Sequence, residues 1–205
     1  MIGTTIESLK SSEFAEAAEL LSRAFLTDPM AQALLRDKSY RAEKILARVF
    51  RLMLDVLPAK MMCIRDGTRI VAVMRMAAPG KCQPAGKQMV RAIPELLVAT
   101  RSMMPRIISY LSLLKKHDPA DRHWHLSLFA VYPDSQRKGM GTRMLDYFCN
   151  YVDSLGESAY LETNKASNVR LYERFSFTVV QEESFLDVKN WFMWRPYQVL
   201  HNVLI

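Results

Sequence analysis

The sequence predicts an α/β fold: a mixed, mostly antiparallel sheet flanked by helices, with a helical insertion before the central strand. Three stretches predict it. An apolar strand, Trp124 to Val131, runs into the turn Gln136-Arg137-Lys138-Gly139-Met140-Gly141. A helix follows in which Met144, Leu145, Phe148, Val152 and Leu155 share one face, and then a second strand, Ser158 to Thr163. Strand, crossover helix and strand make a parallel, right-handed unit. Earlier in the chain, Met61 to Arg65 and Arg69 to Ala77 flank Asp66-Gly67, a hairpin signal, so the sheet begins antiparallel. A doubly wound sheet would alternate strand and helix from its start.

Taken in order, residues 2–8 read as a first short strand. Ser11 or Ser12 suits the cap of a helix carrying Phe14, Ala17, Ala18, Leu21 and Phe25 at helical spacing. Asp28-Pro29 breaks it, and residues 30–36 form a short helical piece. Phe25 and Met30 read as core and Asp28 as a helix terminator. Tyr40 to Leu57 is the next helix, with Ile45, Val49, Leu52, Met53 and Val56 on its apolar side, and Pro58 closes it. The proline-rich stretch Pro79 to Asp121 holds the insertion, about residues 84–118, with helical pieces Lys87 to Arg101 and Pro105 to Lys116. Lys115, Lys116 and His117 read as a solvated helix end, where cations suit the dipole. Gly156 ends the helix after the glycine turn, and Asn168 caps the next short helix. Phe177 to Glu183 and Asn190 to Arg195 make a last antiparallel pair, with Trp191, Phe192 and Trp194 as core or interface. The apolar tail Tyr197 to Ile205 is suited to dock on the domain or on a second copy, which leaves a homodimer open.

A length of 205 residues fits one domain, 1–205, with a sizeable core. Half the residues are hydrophobic and about a quarter charged, a globular balance. The net charge of +7 suits an anionic ligand. The chain has no basic helix, zinc spacing or aromatic RNA-binding motif, so no nucleic-acid partner is expected. No apolar window is long enough for a membrane span, and the N-terminus lacks a signal sequence. Cys63, Cys82 and Cys149 are odd in number and widely spaced, which gives neither a disulfide framework nor a metal pattern. Reduced thiols, a cytoplasmic setting and no metal are the expectation. The 13 methionines read first as core filling.

A strand, a glycine-bearing turn and a helix start make an anion site. The first N–H groups of a helix lack intrahelical partners, and the dipole is positive there. Glycine allows close approach, and consecutive N–H groups form a concave nest. A dinucleotide fingerprint would need a third glycine where Met144 stands, although Glu162 has the separation of a ribose-binding acid. A phosphate loop would need Gly-Lys-Ser/Thr, which is absent.

The pattern Gln136-x-x-Gly139-x-Gly141, opening a helix after a strand, resembles the pyrophosphate turn of the GCN5-related N-acetyltransferase (GNAT) family. Leu161-Glu162-Thr163-Asn164 and Asn168-Val169-Arg170-Leu171-Tyr172-Glu173-Arg174-Phe175-Ser176-Phe177 resemble that family's closing strand and following helix. His123-Trp124 is most similar to the puromycin-acetyltransferase type of small-molecule member. The close resemblance covers about 55 residues. Ser176 departs from it, standing where the family usually has glycine.

The resemblance implies transfer of an acetyl group from acetyl-CoA, as cosubstrate, to a primary amine of a small molecule by direct attack in a ternary complex. The alternatives are a protein or peptide amine, or a catalytically weak acyl-CoA-binding regulatory domain. It further implies that the backbone of Phe129 and Val131 pairs with the pantetheine arm, which requires the central strands to part. Gln136, Arg137, Lys138, Gly139, Gly141 and Thr142 would hold the pyrophosphate, and Asn168 would add to the cofactor site. Tyr172 would stand near the coenzyme sulfur as an acid. For the base, His125 falls on the strand position that carries a glutamate in histone-type members and a histidine in arylalkylamine-type members. Its neighbour His123 shares its face by alternation, and Glu162 is a third candidate.

Overall fold

In the computed structural model, which describes residues 5–36, 40–57, 59–82 and 103–198, seven strands form one sheet. They are β1 (Ile6–Ser8), β2 (Lys60–Asp66), β3 (Arg69–Ala77), β4 (His123–Val131), β5 (Ser158–Thr163), β6 (Thr178–Phe185) and β7 (Val188–Arg195). Their order is β1-β2-β3-β4-β5-β7-β6, and β4 with β5 is the one parallel pair among the described residues. The helices are α1 (Phe14–Phe25), α2 (Pro29–Leu35), α3 (Tyr40–Val56), α4 (Met104–His117), α5 (Met140–Ser154) and α6 (Ala166–Glu173). The mixed, mostly antiparallel sheet is therefore as the sequence predicts. The expected helix at Lys87 to Arg101 and the tail beyond residue 198 lie outside the described residues.

Burial on both faces explains why the middle strands read as continuous apolar runs. In β2, Met61 and Cys63 face α1 and α3, while Met62 and Ile64 face α5. Ala17, Leu21, Ile45 and Phe50 close the first core, and Met144, Leu145, Phe148 and Val152 close the second. Met62, Met74, Met76, Met140, Met144 and Met193 all lie in the second core, which is the space-filling use of methionine. Helix α4 brings Leu113 onto Tyr160 and Phe192.

Several local expectations are corrected. Ser11 and Ser12 lie inside a short 3-10 turn, and the cap is made by the Lys10 N–H donating to Glu13 Oε2 at 2.8 Å. Asp28 does more than end α1: its Oδ1 accepts from Met30 and Ala31 N–H, both at 3.1 Å, and so starts α2. Asn168 lies within the first turn of α6 instead of capping it, and its Nδ2 donates to Thr163 Oγ1 at 3.2 Å. The end of α4 is docked rather than solvated. His117 stacks on Phe192 with centroids 4.1 Å apart, and its Nε2 lies 2.6 Å from Glu183.

Strand β4 positions the site. Arg75 lies opposite Leu128 and Met76 opposite Leu126, so Ser127 is an extra residue in β4. That bulge bends the strand and reverses its alternation. Trp124, Leu126, Phe129 and Val131 all join the α5 core, whereas Leu128 and Ala130 join the α1 core. The buried Arg75 guanidinium donates to Ser127 Oγ and pins the bulge. On the other side, β4 pairs with β5 only from His123 to His125, opposite Ser158 to Tyr160. Beyond that point the two strands part.

Candidate active site

The parted strands expose main-chain groups. Tyr132 N–H donates to Val71 O at 2.8 Å, which turns the even-numbered residues after the bulge toward β3. By alternation, the N–H and C=O of Phe129 and Val131 face the opening. Gln136 Nε2 donates to Val131 O at 3.1 Å, which ties the glycine turn to the strand end.

The turn has the shape its sequence predicts. Arg137 and Gly139 are both left-handed, at φ 61° and 80°, and α5 begins at Met140. No side chain caps Gly139, so the first-turn N–H groups are not claimed by a capping residue. Arg137 and Lys138 are exposed at its rim, and Thr142 is half-buried. The two glycines differ. Gly139 needs its freedom because of its φ, and a Cβ there would meet no atom within 4 Å. Gly141 is not left-handed, and a Cβ would touch Phe129 Cζ at 3.6 Å and Val131 Cγ2 at 3.7 Å, ordinary contacts.

Two of the predicted polar residues come together. His125 Nε2 lies 2.7 Å from Glu162 Oε2, joining β4 to β5 where the strands separate. Burial lowers the His125 pKa, but the Glu162 charge and hydrogen bonds to Cys82 and Glu162 outweigh it, raising it to about 9. Tyr172 is buried on α6 and meets Phe177 edge-on at 6.0 Å. Burial first, and the Glu162 charge second, push its phenol up, so it stays protonated. His123 shares the His125 face as expected, but its partners are different: Asp121 O at 2.7 Å, Asp118 Oδ1 at 3.3 Å and Cys82 Sγ at 3.5 Å.

Cys82, Arg75 and Tyr160 were not singled out by the sequence. Burial raises the Cys82 thiol, yet the two histidines outweigh it and bring it to about 7. Tyr160 lies under both imidazoles, with centroids 5.4 Å from His123 and 5.1 Å from His125. Arg75 is 1% exposed, and its Nε and Nη2 have no hydrogen-bond partner among the described residues. Burial lowers its pKa to about 10. A charge inside an otherwise apolar strand, Val71-Ala72-Val73-Met74-Arg75-Met76, is the one signal that marked it in the sequence. Nothing in sequence spacing joins Cys82 to residues some forty positions away.

The dinucleotide reading fails on this geometry. Among the described residues there is one parallel strand pair instead of a doubly wound sheet, and Glu162 is turned to His125. Among the described residues no helix is long and apolar enough to cross a membrane.

A mixed sheet parted at its one parallel pair, beside an uncapped glycine turn, defines the acyltransferase class of fold. Residues 64–177 match the acetyltransferase (GNAT) family model, and the chain belongs to that family: it is an N-acetyltransferase that uses acetyl-CoA. Similar solved structures share the fold across nearly the whole chain. A histone acetyltransferase HPA2 and related acetyltransferase from Corynebacterium glutamicum is 20% identical, with TM-score 0.72, covering 95% of this chain and 97% of that one. Arylalkylamine N-acetyltransferase 2 from Aedes aegypti is 12% identical, with TM-score 0.67, covering 96% and 100%. A GNAT family acetyltransferase from Brucella melitensis, solved with acetyl-CoA, is 12% identical, with TM-score 0.52, covering 97% and 90%.

Proposed function

We propose that the chain acetylates a primary amine of a small molecule, in the manner of the puromycin-acetyltransferase type, by direct attack within a ternary complex. The observation that carries the small-molecule reading is the depth of the polar pair. His125 is 5% exposed at the floor of the sheet, and α4 covers the neighbouring strands. A small amine reaches such a floor more readily than an amine on a folded protein. A structure named as an arylalkylamine acetyltransferase is similar in fold, which is consistent with this reading.

Acetyl-CoA supplies the acetyl group as an activated thioester. The main chain of Phe129 and the N–H of Val131, which face the opening beyond the β4–β5 pairing, suit an added strand, which is how an extended pantetheine arm would be held. The N–H groups from Arg137 to Thr142 would hold the pyrophosphate, with the Arg137 and Lys138 side chains at the rim and Gln136, its N–H on Pro133 O, fixing the start of the turn. Asn168 acts beside them by holding Thr163, the last residue of β5. The His125–Glu162 pair receives the proton of the attacking amine, directly or through water. Glu162 orients the ring through Nε2, and the base form grows as pH rises. Tyr172, held protonated, donates to the departing thiolate. Placement of both reactants in one cleft supplies much of the rate.

The test is a panel of small amines and N-terminal peptides with acetyl-CoA. Small amines should turn over, and Tyr172→Phe should lower kcat about 100-fold while leaving coenzyme affinity unchanged. Turnover confined to peptides would move the acceptor to the protein class. Full turnover in Tyr172→Phe would remove the acid role.

A further inference from the structure

The side chains of Cys82, Asp118 and His123 come from three separate segments: the stretch after β3, the end of α4 and the first residue of β4. Their donor atoms all lie within 4.8 Å of one another. We propose that they bind a divalent transition-metal ion of the zinc type, with water completing the coordination.

Four observations carry this. The first is spacing. Zinc bonds of about 2.3 Å to sulfur, 2.05 Å to nitrogen and 2.1 Å to oxygen, at a tetrahedral angle, place sulfur about 3.6 Å from nitrogen and nitrogen about 3.4 Å from oxygen. Cys82 Sγ is 3.5 Å from His123 Nε2, and Asp118 Oδ1 is 3.3 Å from it.

The second is contrast within the same molecule. A charge-assisted N–H to carboxylate bond closes to about 2.7–2.9 Å. His125–Glu162 and His117–Glu183 do so, at 2.7 and 2.6 Å. His123–Asp118 is a longer contact, at 3.3 Å, the separation of two ligands on one tetrahedron.

The third is the tautomer. His123 Nδ1–H donates to the backbone carbonyl of Asp121 at 2.7 Å, so the neutral ring carries its lone pair on Nε2, toward Cys82 and Asp118, and a metal binds there by displacing the Nε2 proton. Metal-bound histidines are oriented in this way. The fourth is charge. A thiolate and a carboxylate balance a divalent cation, so the set tolerates the nearby cationic Arg75. An ion here ties the insertion helix and the segment after β3 to the start of the central strand, so it acts as a staple in the wall beside His125. Zinc and cobalt are the borderline-soft ions suited to a mixed S, N, O set.

The experiment strips the 205-residue protein with a chelator and titrates it with cobalt(II). Cys63 and Cys149 are buried in the cores, so Cys82 is the partly exposed thiol among the three. One equivalent should produce the thiolate-to-cobalt charge-transfer band and strong four-coordinate visible bands, and zinc should displace both. Cys82→Ser should abolish the charge-transfer band, and Asp118→Asn should weaken cobalt binding at least tenfold while keeping the band. The melting temperature should rise with metal in the wild type and not in Cys82→Ser. Absence of a charge-transfer band in wild-type protein at millimolar cobalt overturns the proposal, whatever the variants do. A band that persists in Cys82→Ser, or is unmoved in affinity by Asp118→Asn, overturns it as well. None of these readouts depends on acetyl transfer.

Discussion

Ser176→Gly should stabilise this protein without touching a single side-chain contact. Helix α6 leaves through a two-bond C-terminal motif: Phe177 N–H donates to Tyr172 O at 3.2 Å, and Ser176 N–H to Glu173 O at 3.1 Å. Such an exit needs a left-handed residue, and Ser176 takes it at φ 64°. A left-handed conformation costs a residue with a Cβ about 1–2 kcal/mol. Glycine removes that cost but adds about 0.5–1 kcal/mol of unfolded-state entropy. The net gain is about 0.5–1 kcal/mol, or about 1–4 °C in Tm for a chain of this size. Ser176 is exposed, so no packing change confuses the result. Thermal and urea melts of Ser176→Gly, Ser176→Ala and Ser176→Val check it. Alanine should match serine within about 0.5 kcal/mol, and β-branched valine should lower stability by about 1 kcal/mol. A glycine variant no more stable than the alanine variant would refute the strain argument. Turnover should be unchanged, because the motif holding Tyr172 is kept.

Three other outcomes follow from named contacts. Gly139→Val should weaken coenzyme A binding tenfold or more by straining the left-handed turn, whereas Gly141→Ala should weaken it less than threefold; isothermal titration separates the two. Arg195 and Asp153 are paired at 2.6 Å, each with a side chain 5% exposed, so Asp153→Asn should cost about 3–5 kcal/mol, read by urea melts. Burial raises the Asp153 carboxyl, but hydrogen bonds from Arg195 and the Gln198 N–H outweigh it and lower its pKa below 3.8. The pair's contribution is therefore full above that ordinary value and is lost as pH falls through the folded one, an acid limb that Asp153→Asn should lack. Arg75→Met should leave stability unchanged or raise it by about 1–4 kcal/mol, because it removes a buried charge that is incompletely paired among the described residues, while turnover falls; a large drop in Tm would contradict this.

Most of the fold was legible because its signals are local. The two-residue turn at Gly67 and the helical spacing of Met144, Leu145, Phe148 and Val152 need only neighbouring residues to be read. Left-handed Gly139 and the serine at position 176 were also marked by their place in a pattern, and both have positive φ. What stayed hidden depends on tertiary approach. Asn168 looked like a cap, but the hydroxyl of Thr163 drew its amide. His117 looked solvated until the sheet supplied Phe192 and Glu183. The meeting of Cys82, Asp118 and His123 is set by how three segments converge, and no spacing rule encodes that. His125 and Glu162 were each suspected alone, but their pairing depends on the register of β4 against β5.

The extra residue at Ser127 gives β4 two reading frames. Before it, odd-numbered side chains face away from α5; after it, even-numbered ones do. One nine-residue strand can thus vary its histidine end without disturbing the end tied to the glycine turn. Deleting Ser127 would act as a frameshift in three dimensions. It would leave every other residue in place in the sequence while forcing one half of the strand to exchange its inner and outer faces.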